Sequence, residues 1–507
     1  MKNILKCVVL LVFCVLAISC SRREVILRIS VSHMPMTFDY VLMNDTVSIF
    51  VNNNIFETFL RRIDGRDVPV VANTWYLKND STFVVQFKSN LRFSDGEFVT
   101  DDDIIYSLNR TKNTETWRDS VINSFEINEG NLLYIHFSGS PAPITLFLSQ
   151  VVIYKAEYLK KGDDIFLRDN PMSTGEYYLY YKSAEKMVLK KNRFNRNYRI
   201  NRLSPDVVEL INVPSIYTRV EMLLNNEVDF IRHLPFSAYA DLLNNDRFVT
   251  FYQAGNSYTF MMLDATRTQS PGINLRVNPL RDGRVRHAIA HALDMQSFID
   301  DRLMGHGNTL AIPAMRYLIG YPDHLEYYKF DIAHSKSLMS QAGFSDGFDI
   351  QICVVSGYLN NYLAEFIKES LKQININVEI NFHNANVFRT AINANPPSAY
   401  ISTAVWPDGV ENVLPALANK FFIGDSILGA NVMNNYAPHI QELIITIFGL
   451  SSLDHRLTEM YVRLADYVYD EAMVIPLFQP YNLSAVNNSF SYEHSSIVLF
   501  SNFKIRR

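Results

Sequence analysis

The sequence predicts an α/β protein built from more than one lobe. Strand-like apolar runs alternate along the chain with runs of helical spacing, the pattern of layered α/β units. The chain has 507 residues, long enough for about two to four domains and a large core. Hydrophobic residues make up 48% and charged residues 20%, the balance of a globular rather than a disordered chain. The formal net charge is −5, and no long basic block lies outside the N-terminus, so sequence-independent nucleic-acid binding is not expected.

The elements follow in order. Lys2 and Lys6 precede an apolar run over residues 8–18, too short to cross a bilayer of roughly 30 Å and suited to a secretory signal. The run ends in Ala17-Ile18-Ser19-Cys20, which resembles a bacterial lipobox and implies lipidation at Cys20. Ordinary cleavage near Ser19, leaving Cys20 as a free thiol, is the alternative. Loss of the segment takes Lys2 and Lys6 with it, so the charge moves from −5 to about −7. Cys7 and Cys14 leave with it too, and Cys353 stands in an apolar run over residues 350–355. An exported chain with one buried thiol has no disulfide framework and no zinc cluster.

Residues 25–31 read as an opening strand and 53–60 as a helix. Asn79-Asp80 is turn chemistry between apolar runs. From Thr82 to Lys88, Phe83, Val85 and Phe87 alternate with Thr82, Gln86 and Lys88, broken only by Val84, the period of a half-buried strand. Ser94-Asp95-Gly96 is a second turn. Thr100 with Asp103 forms a capping box, and Ile104, Ile105 and Leu108 follow at helical spacing. Further on, residues 187–189 and 207–213 read as strands, 217–225 as a helix and 227–230 as a strand.

The wording of residues 72–110 resembles the signature region of the family 5 extracellular solute-binding proteins, the dipeptide, oligopeptide and nickel receptors of bacterial ABC importers. Trp75, Asp80, Phe83, Phe87, Leu91, Arg92, Phe93 to Gly96, Thr100, Asp103, Ile104, Tyr106 and Ser107 carry that resemblance. It continues in Asn170-Pro171-Met172-Ser173-Thr174-Gly175-Glu176-Tyr177 and in Lys190-Lys191-Asn192-Arg193-Phe194. Asn225-Asn226-Glu227-Val228-Asp229 is similar to the family's LxxGEVD, with Asn for Gly. Val285-Arg286-His287-Ala288-Ile289-Ala290-His291-Ala292-Leu293-Asp294 is close to VRQALSYAID. Gly305-His306-Gly307 and Ile312-Pro313 match the loop that follows. Gln341-Ala342-Gly343-Phe344 with Ser345-Asp346-Gly347-Phe348, and Ile475-Pro476-Leu477-Phe478 near the end, complete the series.

The resemblance implies a two-lobed periplasmic-binding-protein fold of type II with an extra N-terminal subdomain. Residues 1–19 would be a signal peptide. Lobe I would combine 20–56, 168–258 and 480–507, with 57–167 as its extra subdomain, and lobe II would span 259–479. Two crossovers between lobes would form the hinge. The implied function is that of a solute-binding lipoprotein, exported and lipid-anchored at the cell envelope. It would act as a monomer, capturing short peptides in the interlobe cleft and delivering them to ABC permease subunits. A receptor of the same fold for a nickel chelate or a sugar, or a surface receptor or adhesin without a permease, is the runner-up.

No GxSxG elbow, GxxxxGK[ST] loop or CxxC pair occurs, so catalysis is not expected. His287 and His291 have the spacing of two ligands on one helix face but lack the Glu of HExxH. They read as structural, with no metal or cofactor implied. Asp101-Asp102-Asp103 reads as an acidic first helical turn. Ala404-Val405-Trp406-Pro407-Asp408-Gly409 resembles the family segment whose acid receives a peptide α-ammonium. Trp406 and Asp408 are the counterparts, with Glu411 as the alternative acid and a surface Pro-Asp-Gly turn as the plain reading. An ammonium enclosed in a cleft loses its hydration and needs a charge-assisted partner. The resemblance places main-chain partners for an extended peptide at Ser32, His33 and Met34 and at Tyr258, Thr259 and Phe260. Met34, Phe260 and Trp406 would offer apolar walls, with core packing as the alternative for Met34 and Phe260.

Overall fold

The computed structural model describes residues 24–506 except 44, 64–65, 115–116, 119, 140, 142, 162–169, 256, 266, 271, 317, 319, 395–396, 406–412, 414–416, 418–437, 450–455 and 494–496. The main sheet is ordered Ile376–His383, Phe348–Val355, Ala399–Val405, Ser257–Leu263, Val474–Asn487, Phe230–Arg232, Ile26–Val31, Val207–Asn212, Lys186–Lys191, Tyr177–Lys182. The mixed α/β architecture is the one the alternating pattern predicts.

The 14-residue strand Val474–Asn487 belongs to both halves of this sheet. Its first residues, Val474 to Phe478, pair antiparallel with Ser257–Leu263. Its last residues pair with Phe230–Arg232 on one side and Phe248–Ala254 on the other. The chain therefore passes between the halves twice, once along this strand and once between Ala254 and Ser257. The two passages are bonded to each other. Gly255 N–H donates to Pro480 O at 3.0 Å, and the buried Gln479 donates its Nε2 to Gly255 O at 2.7 Å. Gly307–Asn308 adds a short antiparallel pairing at Gln479 and Pro480.

Each half has its own apolar packing. Leu27, Ile29, Phe38, Phe50, Ile55, Tyr177, Leu189, Leu210, Phe230 and Phe500 meet in one core. A separate core under a four-stranded sheet gathers Phe59, Phe83, Val85, Phe93, Leu108, Phe137 and Phe147. In the other half, Ser257–Leu263 is covered on both faces. Tyr258, Phe260 and Met262 enter one cluster and Met261 and Leu263 another.

Local chemistry explains the element boundaries. Thr100 and Asp103 form the expected capping box on helix Asp101–Lys112. Asp103 N–H donates to Thr100 Oγ1 at 3.3 Å, and Thr100 N–H donates to Asp103 Oδ2 at 2.9 Å. The Thr82–Phe87 strand is flanked by partners on both edges, and Val84 is buried along with Phe83 and Val85. That central position accounts for the interruption in its alternation. Cys353 lies buried in strand Phe348–Val355.

Two expected elements are displaced. The helix read at 53–60 is Thr46–Ile55. Asp45 caps its start by accepting from Val47 and Ser48 N–H, the chain turns extended at Phe56, and Leu60 opens a strand. The strand read at 227–230 is Phe230–Arg232. Asn226 adopts φ 58°, and Glu227 N–H bonds back to Met222 O at 2.8 Å. This helix-ending turn consumes the residues before Phe230. Asn tolerates the left-handed conformation better than other non-glycine residues, which fits its place where the family pattern has Gly.

A Cβ at Gly255 would stand 2.6 Å from Pro480 O, so the two passages touch backbone to backbone. Gly255→Ala is expected to cost about 1–3 kcal/mol by forcing them apart. Urea unfolding measures it, and an unchanged midpoint would show that the passages separate freely.

Candidate functional site

Strand directions locate the site. Ile26–Val31 runs parallel to Val207–Asn212 and Phe230–Arg232. Ser484 of the shared strand pairs with Arg232, so Asn482 and the passage at Gln479–Tyr481 lie beyond the C-terminal ends of these strands. In the other half Val405 pairs with Ser257, next to the other passage. Phe348–Val355 runs parallel to both Ile376–His383 and Ala399–Val405. Both halves thus turn the C-terminal edges of their parallel strands toward the passages. Such edges are where open α/β sheets place ligands, because the loops leaving them carry no ladder obligations.

Ser32, His33 and Met34 leave the first strand at this edge. His33 bridges Ser32 Oγ at 2.9 Å through Nδ1 and Asp45 Oδ1 at 3.0 Å through Nε2. Its side chain is 42% exposed, whereas Asp45 is 13% exposed. Asp45 is shared, because the same oxygen caps the helix N–H groups of Val47 and Ser48. Burial opposes the Asp45 charge, but the Ser48 hydrogen bonds and His33 outweigh it and hold its pKa below the ordinary carboxylate value. Met34 is half-buried against the first core.

The expected contacts from the other half are placed differently. Tyr258 is fully buried and Phe260 is 4% exposed, both inside a core cluster with Met262, Met315 and Tyr400. Their side chains pack the interior and present no wall to the edge, because strand Ser257–Leu263 is covered on both faces. Thr259 pairs its hydroxyl with Thr403 Oγ1 at 3.1 Å. Trp406, Asp408 and Glu411 lie outside the described residues, as does Cys20. The strand leading to them ends at Val405 beside the passage.

The structure adds groups that sequence reasoning did not single out. His233 follows Phe230–Arg232 with φ 57°. The residue is exposed overall, yet protein crowds the imidazole. That crowding, then the charges of Arg232 and Arg219, hold its pKa down to about 3, against a hydrogen bond that the ring donates to Asn482. His306 packs against Tyr239, with ring centroids 4.7 Å apart, and against Tyr252 at 5.3 Å. Tyr252 and Tyr481 stack at 5.1 Å. Tyr481 N–H donates to His306 O at 3.1 Å, and Tyr481 Oη donates to Asn308 Oδ1 at 2.9 Å. This aromatic knot ties elements of both halves to the shared strand.

His287 and His291 are each engaged by a backbone carbonyl, Asp470 O at 2.7 Å and Lys329 O at 2.8 Å. Among the described residues no group of three His, Cys, Asp or Glu side chains is placed to hold a metal. No described helix is long and apolar enough to cross a membrane.

Comparison with known proteins gives concordant matches. The family of bacterial extracellular solute-binding proteins, family 5 Middle, matches residues 68–420. Heme-binding protein A of Haemophilus influenzae is 21% identical over 445 residues, 81% of this chain and 78% of its own. The dipeptide-binding protein of Escherichia coli is 23% identical over 314 residues, 56% of each chain. Among solved structures, DppA of Helicobacter pylori in complex with the peptide STSA superposes with TM-score 0.71 at 19% identity, covering 96% of this chain and 99% of that one. NikA of Brucella suis in complex with Fe(III)-EDTA superposes with TM-score 0.80 at 15% identity, covering 95% and 100%. These superpositions establish the fold as that of the type II periplasmic binding proteins.

Asp45→Ala removes a helix cap and the partner of His33 together. A loss of about 1 kcal/mol is expected, within roughly 0.5–2 kcal/mol for such caps. Because the folded pKa is depressed, the wild-type contribution is complete above the free-carboxylate value of about 3.9 and fades as pH falls through the lower folded value. Urea unfolding from neutral to acid pH checks both. Equal stability of wild type and variant at neutral pH would contradict the assignment.

Proposed function

The chain belongs to the bacterial extracellular solute-binding proteins of family 5, and from that membership we propose that it captures short peptides in an interlobe cleft and delivers them to the permease subunits of an ABC importer. Members of this family and fold are substrate-binding receptors, not enzymes. One observation carries the cleft reading. Both halves of the main sheet turn their parallel-strand ends toward the same pair of passages. A solute held there contacts both lobes, and contacts made to both favour a closed form over an open one.

The lobes are read as 20–56, 168–258 and 480–507 for the first, 57–167 for its subdomain, and 259–479 for the second. The separate core of residues 259–479 supports the division between lobes, while Val152, Tyr154 and Leu159 of the 57–167 block pack into the first lobe's core. The ligand is read as a short peptide because a solved neighbour holds the peptide STSA and another, AppA of Bacillus subtilis, holds a nonapeptide. Asp408, or Glu411 in its place, would receive the α-ammonium, with Trp406 and Met34 as apolar walls and the main chain of Ser32 and His33 as strand-like partners, while Tyr258 and Phe260, whose strand is already paired on both edges, drop out of that role. The match to Heme-binding protein A along 81% of this chain favours a non-peptide solute as the second reading. Acylation at Cys20 after removal of residues 1–19 would anchor the protein, a monomer, to the outer side of a membrane.

Native mass spectrometry of the freshly purified chain, followed by calorimetry with a peptide library, tests the reading. A co-purified peptide is expected, and Asp408→Ala should weaken its binding by about 2–5 kcal/mol, the effect of stripping one partner from an enclosed charge pair. Unchanged affinity would move the acidic role to Glu411. A retained porphyrin or metal chelate, with no peptide bound, would replace the peptide reading with the second one.

A further inference from the structure

Several buried or half-buried arginines among the described residues are paired with carboxylates. Arg286, 1% exposed, is matched by Glu471, and Arg62 by Asp67. Arg28 is matched by Asp229, Arg196 by Glu57 and Arg267 by Asp264. This is the expected economy, since guanidinium groups are rarely taken from water without a partner.

Arg219 departs from it. It lies one turn into helix Ile216–Leu224, which Ser215 caps. The helix begins just after strand Val207–Asn212 ends at the cleft edge. Its Nε is buried and makes no hydrogen bond, although a guanidinium carries five donors. Two further basic groups stand near it. His233 lies within electrostatic reach of both Arg219 and Arg232, and the Arg232 guanidinium sits over the Phe50 ring at 4.7 Å. Desolvation lowers the Arg219 pKa.

We propose that Arg219, flanked by Arg232 and His233, is a carboxylate-binding subsite on the first lobe's wall of the cleft. The planar fork of an arginine matches a carboxylate bidentately, and a ligand anion would supply the partner that the chain itself withholds. The carboxylate is a peptide C-terminus or an acidic side chain. The inference rests on the reading of this edge as the solute site, and it adds an anion contact on the first lobe to the acid proposed for the ligand's ammonium.

The test uses the full chain as wild type, Arg219→Gln and Arg219→Lys. Thermal unfolding is followed with glutarate, against chloride at matched ionic strength. Calorimetry is run with trialanine, trialanine amide and Ala-Glu-Ala amide. Glutarate should raise the wild-type Tm but not that of Arg219→Gln. Trialanine should bind Arg219→Gln roughly thirtyfold or more weaker, the scale for a stripped buried charge pair, with the amide unaffected by the substitution. Arg219-dependent binding of Ala-Glu-Ala amide would identify the side chain as the source, and its absence the C-terminus. Without ligand, Arg219→Gln should unfold at the wild-type temperature or above, since it removes an unmatched buried donor. Should it fail to fold, Arg219→Lys, which keeps the charge and loses the fork, takes its place in each comparison.

A glutarate shift equal in wild type and variant, no glutarate shift in wild type, or equal weakening of trialanine and its amide overturns the subsite. Arg219-dependent glutarate stabilisation with no peptide binding to wild type would instead defeat the peptide reading and leave the subsite standing.

Discussion

The contact between the two passages of the chain governs the rest of the structure. Gly255 and Pro480 meet backbone to backbone, and Gln479 closes the contact with its side chain. Buried amides of this kind are costly to leave unmade, and the absence of a Cβ at Gly255 lets the segments approach. From this junction the shared strand enters one half through Val474–Phe478 and the other through Tyr481–Asn487. The direction of every parallel strand around it then fixes which loops border the cleft. Packed cores resist deformation, so in the proposed reading the junction between them serves as the hinge.

Charge pairing differs between the lobe interiors and the edge at this junction. Several partly buried cations are neutralised by neighbouring carboxylates, as Arg28 is by Asp229 at 2.8 Å and Arg286 by Glu471 at 2.6 Å. At the cleft edge the pattern changes. His33 is held by Ser32 and Asp45 yet remains open to solvent, and Arg219 keeps a buried nitrogen without a partner. A receptor must leave some of its recognition groups unmatched, since any pairing made internally has to be broken before solute can use the group.

Much of the fold was legible because local rules and packing agree. The Thr100–Asp103 box, the Asn79-Asp80 turn and the opening strand follow from spacing alone. The helix Thr46–Ile55 was misplaced because its start depends on Asp45 and its apolar residues merge with those beyond Phe56. The shared strand was recognised only as Ile475-Pro476-Leu477-Phe478. Proline donates no ladder hydrogen bond, and the ladder accommodates Pro476 with a register shift between Thr259 and Phe260. The site was less legible. Ser32 and His33 follow directly on the end of the opening strand, whereas Tyr258 and Phe260 turn into a core. His233 and Arg219 gave no sequence signal, because their significance lies in what surrounds them and not in their spacing.

The central claim is that the two lobes close about the junction of Gly255 and Gln479–Pro480 when solute fills the cleft. Small-angle scattering of the chain before and after saturation with a peptide digest tests it directly. The account predicts a smaller radius of gyration at unchanged protein mass, reversed when the peptides are removed. Peptide binding with no change in the radius of gyration would contradict it.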